Sequence, residues 1–520
     1  MQINRLVLST LVALMLLFPH AYSEDVVSLT LEECIVKAME NNLKVAVEVY
    51  NPELAEANLS LAKEMFMPRF DLSFGSRHME EPSYWWLQGE DMVIDKTSNY
   101  SMALVQRVPT GGSLTLSLNS YQTKTNQSFQ LINPRYGSTL QFDFNQPLLR
   151  DFGFKVSRKE IIIAQNNLDI SLNQYKSVLT DIIYRVQEAY WNLVFSVEDH
   201  KVKKQSLELA EKLRQKNKRE VELGKLAPIE LLNAEAVVAS REAELLQAEA
   251  LIRRNQDALS SIMNLESAEK VDSLKLIPLD QPEFVKRAVS FEEALETAKS
   301  MRPELAIQKK TIESNELNFS IAKNKMLPGL DLNLSYWSPG ISGDRLIYLD
   351  DNPFLGIVVG KEKGSPSDSL GDAFNFLYKN WSIGLTLTFP LSNVLSRAEY
   401  VRSRMELEKS RASIKEMENQ ITLEVKDAVR EIETSAKRVE AFRLARELAQ
   451  KRLEAEEKKL EVGMTTNFFV LQYQEELAGA RSQELRALVD YNLAWSKLEK
   501  AVGTSLENRN VKIRHQSTGF

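Results

Sequence analysis

From Lys155 to Leu223 the chain has no proline, and every residue in the span is compatible with a helix. Leu168, Leu172, Tyr175, Leu179, Ile182, Val186, Ala189 and Leu193 recur at alternating steps of four and three, which is a coiled-coil seam. At about 1.5 Å per residue, one helix over this span is roughly 100 Å long. The segments 31–66 and 228–264 are each about half that, ~55 Å, so two of them stacked end to end match the long one. The second half of the chain holds the same set at 291–326, 396–462 and 467–502. The arithmetic predicts a wall of parallel struts, each one long helix or two short ones, with Pro52 kinking the first short helix. Only 19 glycines and 16 prolines serve 520 residues, which also favours few, long elements.

The matching sets are one sign of a duplication. At a shift of 260, "LTLEECIVKAMENN" lies over "VSFEEALETAKSMR" and "LAKEMFMPRFDLSF" over "IAKNKMLPGLDLNL", with Pro68 on Pro328 and Asp71 on Asp331. Thr30 with Glu33, and Ser290 with Glu293, have the spacing of a capping box. Farther along the shift falls to about 240 and puts Gly224 on Gly463, the difference being absorbed by unequal loops. The predicted organisation is an export signal over 1–23, a first repeat over 24–284, a second over 285–506 and a tail over 507–520. Each repeat holds a helix, barrel strands, a long helix and a short helix.

Where each long helix begins, the hydrophobic rhythm has just changed from period two. Phe70, Leu72 and Phe74; Leu140, Phe142 and Phe144; Leu330, Leu332, Leu334 and Tyr336; and Ile383, Leu385, Leu387 and Phe389 alternate with polar residues such as Asp71, Gln141, Asp331 and Thr386. Either a half-buried soluble sheet or a membrane barrel has this pattern. The order of elements favours the barrel, because long polar loops, read at 79–98 and 338–380, lie on one side of the strands and helices on the other. Residues 99–125 read as a further hairpin turning at Thr110-Gly111-Gly112 with no equivalent in the second repeat. Four and six strands per chain are both compatible with the sequence.

The N-terminus, "MQINRLVLSTLVALMLLFPHAYSED", combines Arg5, an apolar core and small residues at a cleavage spacing, which is an export signal rather than a span. A net charge of -7 and a pI near 5.6 exclude the basic stripe of a nucleic-acid binder. Cys34 is the only cysteine, read as a small buried apolar residue, and it offers neither a disulfide nor a lipid anchor. His20, His78, His200 and His515 are scattered, so no metal-ligand cluster or nucleophile motif is legible. Acidic pairs such as Glu32-Glu33 and Glu456-Glu457 read as solvated helix faces rather than catalytic dyads. The chain is expected not to be an enzyme and to need no cofactor.

The export signal, the duplicated helix-strand-strand-helix-helix unit, and the glycine turns in "ELGKLAPIELLNAE" and "EVGMTTNFFVLQYQ" together resemble the TolC-like outer-membrane efflux and secretion channels, over nearly all of residues 28–505. The resemblance implies an α+β, internally duplicated fold in which three chains close one outer-membrane β-barrel, continuous with a long α-helical coiled-coil tunnel in the periplasm. It implies a homotrimer in the outer membrane of a Gram-negative-type cell, partnered by a periplasmic adaptor protein and an inner-membrane pump. The system would be a tripartite efflux or type I secretion apparatus. Pro147 and Pro390 would lie where strands end and tunnel helices begin.

By position in that family, the adaptor meets the hairpin turns, here Gly224, Lys225 and Ala227 in the first repeat and Gly463, Met464 and Thr465 in the second. Glycine also suits these turns simply as a helix cap. The pinched tunnel end maps onto Glu230 and Asn233 in the first repeat and Leu460, Thr465, Phe469 and Gln472 in the second. Well-known members place aspartates and Tyr and Arg links there, and this chain departs from that pattern. Two readings of Phe469 follow: three copies form an apolar constriction that gates by dewetting, or the ring packs in the helix bundle. A periplasmic coiled-coil adaptor or structural scaffold is the alternative function, although adaptors typically pair one helical hairpin with soluble β domains. The exported substrate, whether drug, peptide, protein or metal, is not written in the chain, and net acidity points only to a preference for cations.

Overall fold

The computed structural model describes residues 25–265 and 274–511. The export signal read at 1–23 and the end of the tail, 512–520, lie outside the described residues. In chain order the first half contains β1 (Asp25–Leu29), α1 (Leu31–Asn41), α2 (Leu43–Glu48), α3 (Tyr50–Glu64), β2 (Arg69–Pro82), β3 (Met92–Arg107), β4 (Ser113–Thr125), β5 (Ile132–Pro147), α4 (Phe154–Ser157), α5 (Lys159–Glu222) and α6 (Pro228–Met263). The second half contains β6 (Leu274–Pro278), α7 (Phe291–Met301), α8 (Pro303–Asn324), β7 (Gly329–Tyr348), β8 (Val358–Glu362), α9 (Pro366–Phe374), β9 (Asn380–Thr388), α10 (Val394–Glu461), α11 (Asn467–Val502) and α12 (Ser505–Asn508). The chain gathers into two compact units. One draws on the segments up to Pro52, Ser171–Ile307 and from Ile414, the other on Glu53–Ile170 and Gln308–Ser413.

The first unit is helical and holds two apolar cores of similar construction. Cys34, Ile35 and Ala38 of α1 pack on Ile183, Val186 and Tyr190 of α5 and on Leu259 and Met263 of α6. Ala294 and Ala298 of α7, which align with Cys34 and Ala38, pack on Val425 and Val429 of α10 and on Tyr491 and Leu498 of α11. Small residues at these aligned positions let a short helix lie close to a long one. Burial pushes the Cys34 thiol up to about 12, so the residue behaves as the small apolar filler that the sequence suggests.

A two-stranded sheet in this unit is too short to stand out as a periodic signal in the sequence. β1 and β6 pair in parallel, Asp25 to Leu29 against Leu274 to Pro278. Asp280, just past β6, clamps the start of α1. Its Oδ2 accepts from the Leu31 N–H at 2.7 Å and from the Tyr190 hydroxyl at 2.7 Å, and its own N–H donates to that hydroxyl at 3.1 Å. Polar groups brought together at a partly buried site in this way satisfy one another.

The first short helix is not the single kinked strut expected from Pro52. It breaks at Asn42, whose side-chain oxygen accepts from the N–H groups of Lys44 (2.9 Å) and Val45 (3.3 Å) and whose amide donates to Ile262 O at 2.7 Å. Asparagine competes with the helix for its own backbone and restarts it as an N-cap. Pro52 sits in the first turn of α3, where a missing N–H costs nothing. The equivalent break in the second repeat falls at Arg302, before Pro303.

The second unit contains a seven-stranded sheet in the order β2-β3-β4-β5-β7, with β8 and β9 both paired to β7, and all these pairings are antiparallel. The hairpin read at 99–125 is part of it, so the chain supplies six long strands and one short one. Its turn closes with Val108 N–H to Gly112 O at 2.8 Å. Gly111 has φ +102 there, and a Cβ on it would lie 2.4 Å from Asp151 O.

The two long loops expected at 79–98 and 338–380 are shorter than predicted. β2 continues to Pro82 and β3 starts at Met92, while β7 runs on to Tyr348 and is followed by β8 and α9. Beyond Tyr336 the residues on that face become Ser338, Gly340 and Ser342, so the hydrophobic rhythm ends although the ladder with β5 does not. Backbone pairing needs no apolar side chain, and only the apolar part of a strand is visible as a period-two signal.

Candidate membrane face and hairpin turns

Register converts the alternation in single strands into two continuous faces. Phe70, Leu104, Leu116, Phe142, Tyr336 and Trp381 stand in one row across six strands. The next rows are Leu72, Met102, Leu118 and Leu140, and, on the other side, Leu114, Phe144, Leu334 and Ile383. One residue over, on the opposite face, the corresponding row reads Asp71, Ala103, Ser117, Gln141, Trp337 and Asn380. That polar face is hydrogen-bonded within itself, with Ser335 Oγ donating to Asp143 at 2.6 Å and Asn145 to Asn333 at 2.6 Å.

The apolar face is uncovered in the single chain. Phe70, Leu72 and Phe74 on β2 and Trp381, Ile383, Leu385 and Leu387 on β9 are each more than half exposed. Those strands are also the ends of the sheet, with unpaired backbone along their outer sides. A long, apolar, unpaired edge is an aggregation site in water, and closing a barrel removes it. Among the described residues no helix is long and apolar enough to cross a membrane.

The two hairpin turns share one backbone construction. Gly224 has φ +70 and Gly463 φ +74. Lys225 N–H bonds Glu220 O at 2.8 Å and Gly224 N–H bonds Val221 O; Met464 N–H bonds Lys459 O at 2.9 Å and Gly463 N–H bonds Leu460 O. These are Schellman caps, and they require the left-handed residue that glycine adopts without strain. Ala227 then precedes Pro228, the first residue of α6. Leu223, Val462 and Met464 are all more than two-thirds exposed on the turns.

The other sequence-singled residues fall on this end of the hairpins with different surroundings. Glu230 and Asn233 are half-buried in the first turns of α6, and Glu230 O accepts from the Asn217 amide at 3.3 Å. Thr465 is tied within its own hairpin, donating to Glu456 Oε1 at 2.6 Å, while Lys459 holds Oε2 at 3.0 Å. Glu456 is therefore a turn anchor rather than the solvated face expected for it. Thr465 and then Lys459 hold its carboxyl below the ordinary carboxylate range, so the tie is present at neutral pH and is lost as the pH falls through that lowered value. Leu460 packs among Leu453, Val470 and Leu477. Phe469 and Gln472, one turn apart on α11, point away from that core; Phe469 is 44% exposed and meets Phe468 edge-on at 5.6 Å.

Sequence reasoning missed the polar links between the two hairpins. Arg241 of α6 is 4% exposed, and its guanidinium donates to Ser206 O of α5 at 2.8 Å and to Leu471 O of α11 at 2.9 Å. Burial draws its pKa down, opposed by Glu475 and Glu244, and an arginine so placed stays charged. Nearer the turns, the Asn467 amide donates to Asn217 Oδ1 at 2.7 Å, both residues being buried. Neither link has a motif. Each depends on one repeat meeting the other, which no local pattern reports. Among the described residues no group of three or more His, Cys, Asp or Glu side chains is placed to hold a metal ion.

The chain matches the outer membrane efflux protein family over residues 34–265 and 294–504. No curated protein sequence matches it significantly. Its fold is similar to that of the CmeC outer membrane channel of Campylobacter jejuni, with TM-score 0.63 and 16% identity over 91% of this chain and 86% of that one. It is also similar to the outer membrane protein VceC of Vibrio cholerae, with TM-score 0.60 and 15% identity over 91% and 96%. The open-state MtrE outer membrane channel of Neisseria gonorrhoeae gives TM-score 0.59 and 16% identity over 91% and 88%. With both halves matched by the family and the strand and helix plan in place, the chain belongs to the outer membrane efflux protein family.

Proposed function

We infer that this chain is the outer-membrane channel subunit of a tripartite efflux system, exporting substrates from the cell. The observation that carries the reading is the sheet: an uncovered apolar face, a hydrogen-bonded polar face and two free edges, joined to helices of 64 and 68 residues. At about 1.5 Å per residue these helices are each roughly 100 Å long, enough to extend well into the periplasm. Six long strands cannot close a barrel around a wide lumen alone, so three chains share one barrel, with the polar face inward.

The exposed turns at Gly224, Lys225 and Ala227, and at Gly463, Met464 and Thr465, are the surfaces for a periplasmic adaptor that links the channel to an inner-membrane pump. The exposed apolar side chains on these turns, Leu223, Val462 and Met464, suit docking against another helical hairpin. The reading is tested by the native mass of the protein extracted in detergent from purified outer membranes. A species of three mature chains supports it. A soluble periplasmic monomer or dimer overturns it in favour of a scaffold.

Phe469 with Gln472 forms the constriction, and Glu230, Asn233 and Thr465 flank it. What supports this is that Phe469 lies off the hairpin core and is free to face a threefold axis. Phe469→Ala is expected to raise single-channel conductance by removing a dewetting ring. Unchanged conductance in an intact trimer removes Phe469 from the gate.

A further inference from the structure

We propose that the loop between β2 and β3, Ser83–Asp91, is a binding site for a glycan of the cell's own outer surface. The proposal rests on the outer-membrane reading above, because the loop joins two barrel strands at the end away from their helical connections.

Its position excludes the membrane as the occupant. On the apolar face β2 carries Phe70, Leu72 and Phe74, then Ser76, His78, Glu80 and Pro82. At about 3.3 Å per residue, roughly 26 Å of strand separates Phe74 from Pro82. The paired positions on β3 turn polar at the same height, Ser98 and Lys96 following Tyr100, with Ile94 and Met92 beyond them opposite Glu80 and Pro82. Interfacial tryptophans sit at headgroup level, well short of this loop.

Three aromatic rings are nevertheless held out there in the single chain. Tyr84 is 85% exposed, Trp85 55% and Trp86 78%. The loop that carries them is built rather than slack. Gln88 Oε1 accepts from Ser83 Oγ at 2.7 Å, from Tyr84 N–H at 3.0 Å and from Trp85 N–H at 3.3 Å, while Gln88 O accepts from Ser128 N–H at 3.0 Å. Gly89 holds φ +70 where a Cβ would lie 2.2 Å from Ser128 Oγ, so the loop is seated directly on its neighbour.

The chemistry of the cleft fits a saccharide. Ser83, the three aromatics, Glu90 and Asp91 line an open cleft of about 650 Å³, within the range of small-molecule sites. Flat rings take the C–H face of a pyranose, and carboxylates beside them accept its hydroxyl protons. Tyrosine and tryptophan supply rigid contact area at low entropic cost, and a pre-formed loop lowers it further. Rings and carboxylates also attract cations, but three adjacent rings offer more flat area than a point charge uses.

The test titrates the detergent-solubilised channel with the oligosaccharide released by mild acid from the lipopolysaccharide of the producing cell, followed by tryptophan fluorescence and calorimetry. Saturable binding is expected, weakened by up to about tenfold each in Trp85→Ala and Trp86→Ala, and by loosening of the loop in Gln88→Ala. Single-channel conductance of these variants is expected to equal that of the parent. Binding unchanged in the Trp85→Ala, Trp86→Ala double variant, or absent from a preparation that conducts, overturns the proposal. So does competition by choline with loss of binding in high salt, which would make it a cation site. A preparation that neither conducts nor fractionates with outer membranes defeats the channel reading instead.

Discussion

Replacing Phe142 by arginine is expected to remove the chain from the outer membrane, whereas the same replacement at Gln141 is expected to leave assembly intact. The two residues are neighbours on β5, a strand paired on both sides, but successive side chains point to opposite faces. Phe142 stands in the row with Leu104, Leu116 and Tyr336, and Phe144 and Leu140 flank it along the strand. An arginine near the midplane of a barrel's lipid face costs about 2–4 kcal/mol. In the proposed three-chain barrel that cost is incurred three times, which far exceeds what snorkelling recovers. Gln141 faces the polar side, where its amide already bonds Asp143 at 2.8 Å, so an arginine there gains a carboxylate partner. The measurement is the fraction of each variant recovered as heat-resistant trimer in purified outer membranes. Equal recovery of the two variants would mean that the apolar face does not meet lipid.

The contrast also separates what is legible in the amino-acid sequence from what is not. Alternation at Phe70 to Phe74 or Ile383 to Phe389, and the four-three seam from Leu168 to Leu193, are local signals strong enough to name a strand or a helix. So were Gly224 and Gly463, because a helix that turns back needs a left-handed residue at a defined place. Local signals fail where a structure is held by backbone pairing or by a distant partner. The outer parts of β2 and β7 carry no regular apolar alternation and read as loops. Asn42, not Pro52, interrupts the first short helix: its side-chain oxygen caps the next helix, and its amide is held by Ile262 O on another helix, a partner that no local pattern reports. Arg241 lies among several charged residues on α6, and nothing in its spacing separates it from Arg253 or Arg254, which are exposed.

That buried arginine carries the second large effect: Arg241→Ala is expected to make the channel leak. Its guanidinium bonds α5 and α11 from α6, through carbonyl oxygens at 2.8 and 2.9 Å, as Asn217 does from α5 nearer the turns. Hydrogen bonds from a charged donor contribute about 1.5–3 kcal/mol each, less the cost of keeping the charge out of water. The accepting carbonyls are already bonded within their own helices, so the variant leaves no orphaned backbone group and the hairpins are expected to fold. The contact between first-repeat and second-repeat hairpins loses stability instead. If the closed arrangement is favoured by only a few kcal/mol, removing about 1–2 kcal/mol from each of three chains is enough to populate the open one. Arg241→Lys should restore little, since a lysine ammonium lacks the planar fork that spans two carbonyls. Conductance in planar bilayers is the readout, with Asn467→Ala, which breaks the neighbouring Asn217 link, as an independent variant. Wild-type conductance in intact trimers of both variants would make these links structural cement, and would leave the constriction proposed at Phe469 as the barrier to flow.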